Sequence, residues 1–377
     1  MSTAVAEPTA SGTNPDAILN EKTLLTTTTR KAGDASSEMG ASSIDSKSIR
    51  EADPKSPSAE PAGPVKRPLT NPAPNCNPTP RAPLTADQQA KYKEVLATVS
   101  AWTEIPTTSS KNAPNSPITE DERLWLTREC ILRYLRATKW HTTAASKRLM
   151  ETLVWRREYG IAGFTADYIS PENVTGKQVI FGFDNEGRPC LYLNPNKQNT
   201  KQSERQIHHL VFMLERVIEL MAPGQETEAL LINFKESSAR SNPSVGTGKH
   251  VLNILQNHYP ERLGRALITH LPWYVTTFFK LISPFIDPVT KSKMKFNEPL
   301  TDHVPASQLI KTSGGDVDFV YDHEVYWPAL NALCDQRRRE YRERWESAGK
   351  HIGESEVYLK GGDEGSVGVE LKVEATE

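Results

Sequence analysis

The residues with the clearest chemistry are Asp287-Pro288-Val289-Thr290, with Lys293 three positions further on. Asp favours a helix N-cap, and Pro fits the first helical position, where its missing N–H costs nothing. Thr290 then falls in the first turn, its hydroxyl beside free backbone donors, and Lys293 shares its helix face. A hydroxyl, a helix N-terminus and a lysine suit one phosphate. Taken alone, the pattern equally describes a capped surface helix with a solvated lysine. The preceding segment, Trp273 to Ile286, crowds Tyr274, Val275, Phe278, Phe279, Leu281, Ile282 and Phe285 together, diluted only by Lys280 and small or turn-forming residues. A helix apolar almost all round is buried in a large core or lies against something greasy. An anion site beside such a lid suggests an amphiphile whose phosphate is held and whose tails are sequestered.

No catalytic set accompanies these residues, and a non-enzymatic protein is expected. Gly246-Thr247-Gly248-Lys249 resembles the end of a phosphate-binding loop, but Pro243 stands where that loop needs its first Gly and His250 replaces the Ser or Thr. It reads as a helix start. No G-x-S-x-G elbow, H-E-x-x-H or strand-linked G-x-G-x-x-G occurs. His208 and His209 are adjacent, so they face different sides of a helix and cannot share a metal; a surface or half-buried position is expected for both.

Composition bounds what surrounds this site. A net charge of −2 argues against a nucleic-acid partner. No apolar run reaches bilayer-spanning length, and Glu7, Asp16 and Glu21 speak against a targeting leader. Cys76, Cys130, Cys190 and Cys334 lie far apart, as free thiols of a reducing compartment. A cytoplasmic chain is expected. Residues 1–83 carry twelve of the 27 prolines and no aromatic residue, and so read as a solvated tail. Residues 84–163 read as a helical lobe: Ala86 to Ser100, a helix opened by a Thr119/Glu122 capping box, and Ala144 to Tyr159 stopped by Gly160. In residues 164–334 strands 179–183 and 190–193 flank a hairpin through Gly187, and strands and helices then alternate, which indicates an α/β layer with a partly parallel sheet. Residues 335–377 read as a charged helix and a loose acidic end.

Five ordered motifs resemble the CRAL-TRIO lipid-transfer family: Arg133-Tyr134-Leu135-Arg136-Ala137-Thr138-Lys139-Trp140, Trp155-Arg156-Arg157-Glu158-Tyr159-Gly160, Asp184-x-x-Gly187-Arg188-Pro189, Tyr259-Pro260-Glu261-Arg262 and Asp287-Pro288-Val289-Thr290. The resemblance covers residues 84–334 and is strongest to fungal phosphatidylinositol transfer proteins of the azole-tolerance subgroup. It implies an α/β fold: a helical N-terminal lobe, then a lobe with a mixed sheet, a lipid cavity and a gate helix. By the same resemblance, Thr290 and Lys293 contact the phosphate of phosphatidylinositol, and Glu261 orients Lys293 by an ion pair. The gate carries Tyr274, Phe278, Phe279, Leu281, Ile282 and Phe285. No cofactor beyond the bound lipid is implied. Two positions depart from the family: Thr138 replaces a headgroup arginine, which shifts that role to Lys139 or another cation, and Glu228 and Leu230 replace the hydroxyl pair that serves phosphatidylcholine. Exchange with a second hydrophobic lipid such as a sterol is therefore expected, at a transient membrane contact. The rival readings are a pure sterol or isoprenoid binder and a lipid-sensing module for a lipid kinase or GTPase.

Overall fold

A computed structural model describes residues 63–238 and 244–368; the expectation for residues 1–62 lies outside the described residues. The helical lobe begins with α1 (Ala86–Ser100), where Thr85 and Gln88 exchange side-chain and backbone hydrogen bonds in a capping box. A short antiparallel pair, β1 (Glu104–Pro106) and β2 (Asn115–Pro117), follows α1 in the Pro/Ser/Asn-rich stretch before Thr119. Thr119 forms the expected box with Glu122 to open α2 (Glu120–Trp125). The single helix expected here is two, because Thr127 caps a second start and α3 runs Arg128–Ala137. After α4 (Thr142–Glu158), Gly160 takes the left-handed conformation at φ 70°. Val99, Ile131, Leu135, Leu149 and Leu153 fill the space between α1, α3 and α4.

The second lobe runs α5 (Ala166–Asn173), β3 (Gln178–Phe183), β4 (Pro189–Leu193), α6 (Glu204–Leu220), β5 (Glu228–Asn233), α7 (Val245–His258), β6 (Leu263–Thr269), α8 (Trp273–Ile282), α9 (Pro288–Ser292), β7 (Met294–Phe296), α10 (His323–Ser347) and α11 (Glu356–Leu359). The strands lie in the order β3-β4-β5-β6-β7, the first pair antiparallel and the rest parallel, so the sheet is mixed as expected. Successive right-handed crossovers stepping one way place α6, α7 and the α8–α9 segment on one face. Strand β7, three residues long, has no sequence signal of its own.

Register shows what that face carries. Leu191, Leu230, Ala266 and Met294 form one in-register row, and Leu193, Ile232, Ile268 and Phe296 the next. Paired residues of one row point to one side of a sheet. Leu193, Leu230, Ile232 and Met294 are only half-buried and Phe296 is exposed, so this apolar face is incompletely covered. The reverse face packs instead under the loop segment 304–321, where Phe181 meets Phe319 at 4.5 Å between ring centres.

The described parts of both ends, residues 63–83 and the segment after α10 up to residue 368, are packed rather than solvated or loose as expected. Residues 63–83 lie against the α/β lobe: Val65 bridges Phe319, Cys76 is buried, and its carbonyl comes so close to Gly187 that a Cβ there would sit 2.9 Å away. Proline-rich composition thus marks an extended strap, which the lobe orders through its own backbone and side chains. At the other end, α10 runs straight through residue 335, and Glu354, Ser355, Glu356 and Leu359 are buried beyond it. The two expected boundaries at 163 and 334 fall inside one compact unit, Pro61–Glu377. A chain beginning at residue 84 should therefore melt several degrees below one beginning at residue 63, because it loses the Cys76 and Val65 contacts. Equal melting curves would restore the solvated reading.

Candidate anion site and gate

Helix α9 starts as its sequence dictates. Asp287 is the N-cap, Pro288 takes the first position, and the Thr290 amide donates to Asp287 Oδ1 at 2.8 Å. Burial works against the Asp287 charge, but hydrogen bonds from the Thr290 side chain and amide outweigh it and hold this carboxyl below its usual range. Lys293 ends the helix, half-buried, and its Nζ donates to the Leu263 carbonyl at 2.7 Å. The orienting contact is thus a backbone oxygen rather than the Glu261 ion pair that the resemblance implies. Glu261, at φ +60° in the turn before β6, acts on Lys293 through space only. Burial lowers the Lys293 pKa, Glu261 and Asp287 offset part of that, and Arg188 and Arg81 add to it.

Arg81 was not singled out in the sequence, and Arg188 entered only as part of a family motif, without a role. Arg81 comes from the strap and pairs with Glu226 at 2.7 Å. Arg188 is held by Asp184 at 3.0 Å and by the Thr227 hydroxyl at 2.9 Å. Thr138 turns its hydroxyl back onto the Tyr134 carbonyl at 2.9 Å and caps its own helix. Lys139, the substitute cation considered from sequence, is exposed, with φ 52°. A strap arginine had no local signal to find it by, because only the fold brings residue 81 within electrostatic reach of residue 293.

Helix α8 is not a core helix. Val275 and Ile282 are buried, whereas Trp273 is 80% exposed, Leu281 55% and, in the turn just after the helix, Phe285 47%. Its inner side rests on a few contacts. The Tyr274 hydroxyl donates to the Ser237 carbonyl at 2.7 Å, Phe279 meets Phe296 edge-on at 5.8 Å, and Lys249 Nζ sits 4.1 Å above the Phe285 ring. Phe278 approaches α7 so closely that a Cβ on Gly248 would lie 2.9 Å from its ring. The phosphate-loop look-alike is thus a helix start, capped by Ser244, whose glycine admits the neighbouring aromatic ring. Through Phe279 and Phe296, α8 meets the edge of the half-covered apolar face.

Most other motif arginines tie the fold together. Arg156 makes a two-pronged bond to Glu215 (2.7 and 3.2 Å), which also accepts from the Tyr259 hydroxyl. Arg157 grips Glu122 and the Ile105 and Pro117 carbonyls. His208 stacks on Phe164, but His209 is fully buried, a correction to the surface position expected of it, and burial pushes its pKa down to about 3. Glu228, at the start of β5, is also buried, with one carboxyl oxygen unpartnered among the described residues.

The arrangement is a capped helix start with a lysine, next to an apolar sheet face that one loosely held aromatic helix overhangs. Family models for the CRAL/TRIO domain match residues 173–315, and for its N-terminal domain residues 91–151. The chain belongs to the CRAL-TRIO family. It is 53% identical over 351 residues to a CRAL-TRIO domain-containing protein of Schizosaccharomyces pombe, covering 92% of this chain but 34% of that relative's length. It is 39% identical to the phosphatidylinositol transfer protein PDR17 of Saccharomyces cerevisiae over 74% of this chain and 85% of that protein, and 30% identical to the SEC14 cytosolic factor of Kluyveromyces lactis over 49% and 69%. Among the described residues no helix is long and apolar enough to cross a membrane.

Burial raises the Glu228 pKa to about 8, against partial relief from Arg262. The folded protein therefore binds a proton there that the unfolded chain releases above its own, lower pKa. The stability cost of Glu228 is absent at acidic pH, grows between about pH 4.5 and 8, and then levels off. Glu228→Gln should accordingly raise Tm over wild type by an amount that widens across that interval, as calorimetry at a series of pH values would record. A constant difference would mean that Glu228 is not desolvated.

Proposed function

We propose that this protein binds phosphatidylinositol and moves it between membranes without chemical conversion. The observation that carries the reading is the placement of Thr290 and Lys293 beside an apolar sheet face overhung by α8, at the positions implied by the resemblance to phosphatidylinositol transfer proteins. In this reading the phosphate meets the Thr290 hydroxyl and Lys293, with Glu261 shaping the field around them. Arg81 and Arg188 supply the positive charge that Thr138 lacks. The acyl chains lie on the Leu230, Ile232 and Met294 side of the sheet, and α8 swings aside at a membrane. Exposed Trp273, Leu281, Phe285 and Val289, with Lys280 and Lys291 near them, suit a transient contact with an anionic bilayer surface.

The headgroup assignment has a direct test. A charge-assisted hydrogen bond to phosphate is worth about 1.5–3 kcal/mol, so its removal weakens binding by roughly ten- to a hundredfold. Glu261→Ala combined with Lys293→Ala should lower phosphatidylinositol transfer by that factor while any sterol binding stays near wild type. Removing both avoids leaving Glu261 as an uncompensated anion beside the phosphate. Wild-type transfer by this variant, with an unchanged melting curve, would move the headgroup elsewhere.

Ligand choice follows from β5. Glu228 and Leu230 present no hydroxyl pair, and a sterol-like partner suits Leu230 better than a choline headgroup does. Vesicle-to-vesicle assays with each labelled lipid should show phosphatidylinositol moving and phosphatidylcholine moving at least tenfold more slowly. Comparable rates would refute this selectivity.

A further inference from the structure

A second cavity, of about 830 Å³, opens between the helical lobe, α6, α10 and the C-terminal segment. That volume falls within the usual range of small-molecule sites. Thr290, Lys293 and Glu261 are not on its wall. Ten Arg and Lys side chains face six Asp and Glu on the wall, and Arg262, Arg337 and Lys360 among them are hydrogen-bonded to backbone carbonyls. Arg262 Nη1 donates to the Glu226 carbonyl at 3.0 Å, Arg337 Nη1 to the Leu220 carbonyl at 3.0 Å, and Lys360 Nζ to the Ile218 carbonyl at 3.3 Å. A carbonyl satisfies a donor without cancelling its charge.

Carboxylates reach these cations only through space: Glu356 acts on Arg262 and Lys360, Glu226 on Arg262 and Glu340 on Arg337. Glu356 Oε1 is already taken by Arg133 at 2.6 Å and by the Thr127 hydroxyl at 2.7 Å. Its other oxygen has no hydrogen-bond partner among the described residues. Arg262 is nine-tenths buried, and its burial with Arg133 nearby outweighs what Glu356 and Glu226 offset. Lys360 reports the same surplus: burial first, then Arg262, Arg133 and Arg337, bring its pKa down to about 8 despite Glu356.

We propose that this cavity is a second ligand site, which takes a small, multiply charged phosphate ester between Arg262, Arg337 and Lys360. Two guanidinium forks match phosphate oxygens in pairs, and the ammonium adds a point charge, a donor set that one carboxylate would not use fully. The ligand bridges the turn before β6, α10 and the C-terminal segment, so its binding also fastens that segment to the α/β lobe. Both a soluble phosphate ester and a phosphorylated lipid headgroup carry the required chemistry.

The test uses the full chain, with inositol hexakisphosphate and pyrophosphate as soluble probes at fixed ionic strength, read by calorimetric titration and by thermal shift. Saturable 1:1 binding with a rise in Tm is expected. Lys360→Met and Arg337→Gln, made separately so that either can answer if the other unfolds, should each weaken it about tenfold. Glu261→Ala with Lys293→Ala should leave it unchanged. Vesicles bearing phosphatidylinositol 4-phosphate form the other arm: competition with the soluble probe assigns the site to a headgroup, and its absence to a free ester. Failure of both soluble probes to saturate would overturn the proposal. So would binding that ignores Lys360 and Arg337, or that disappears with Glu261 and Lys293.

Discussion

The seating of the helical lobe on the rest of the described chain depends on the guanidinium of Arg133. It is buried in α3, where it donates to Glu226 Oε2 at 2.9 Å and to Glu356 Oε1 at 2.6 Å. Arg136 and Arg81 share Glu226 with it, at 2.9 and 2.7 Å. One cation thus joins the helical lobe, the entry to β5 and the C-terminal segment, and Arg81 adds the strap. Such a cluster contributes little net stability when complete, but removing a single member leaves a buried charge that costs about 3–5 kcal/mol. Its value is geometric, since it permits only one way of seating four stretches of chain.

That fixed frame makes the contrast with α8 meaningful. The frame is held by buried ion pairs and by interdigitated aliphatic side chains, whereas α8 is held by a tyrosine hydroxyl, two aromatic contacts and a lysine over a ring. Interactions of this second kind are individually small, and the helix exposes large apolar area to solvent. A segment with few buried contacts opens at lower free energy than its surroundings. In the proposed reading, α8 opens over the sheet face beneath it while the ion-pair hub stays in place.

Sequence reading succeeded wherever the cause is local. The Thr119 and Asp287 caps, the Gly160 stop and the Gly187 hairpin depend on residues within a few positions of each other, and each appears in the structure where the pattern placed it. The five motifs led to the family, but they did not show what their residues touch. Glu226 and Glu356 lie 93 and 223 residues from Arg133, and no periodicity links them. The strap and the C-terminal turn misled for the same reason. Their composition is that of solvated chain, and only the lobe they lie on gives them partners. Strand β7 borrows its hydrogen bonds from β6, and Lys293 takes its orientation from the Leu263 carbonyl in the adjacent strand.

The 223-residue separation between Arg133 and Glu356 has a consequence for the chain as it is made. Synthesis proceeds at about 5–20 residues per second, and domains begin to fold as they emerge. The helical lobe is therefore complete for ten seconds or more before residue 356 leaves the ribosome. During that interval Arg133 can pair with Glu226 once β5 has emerged, but its second carboxylate does not yet exist. The lobe interface stays hydrated, and a nascent chain has time to sample looser arrangements. Closure of the hub thus waits until translation has delivered α11.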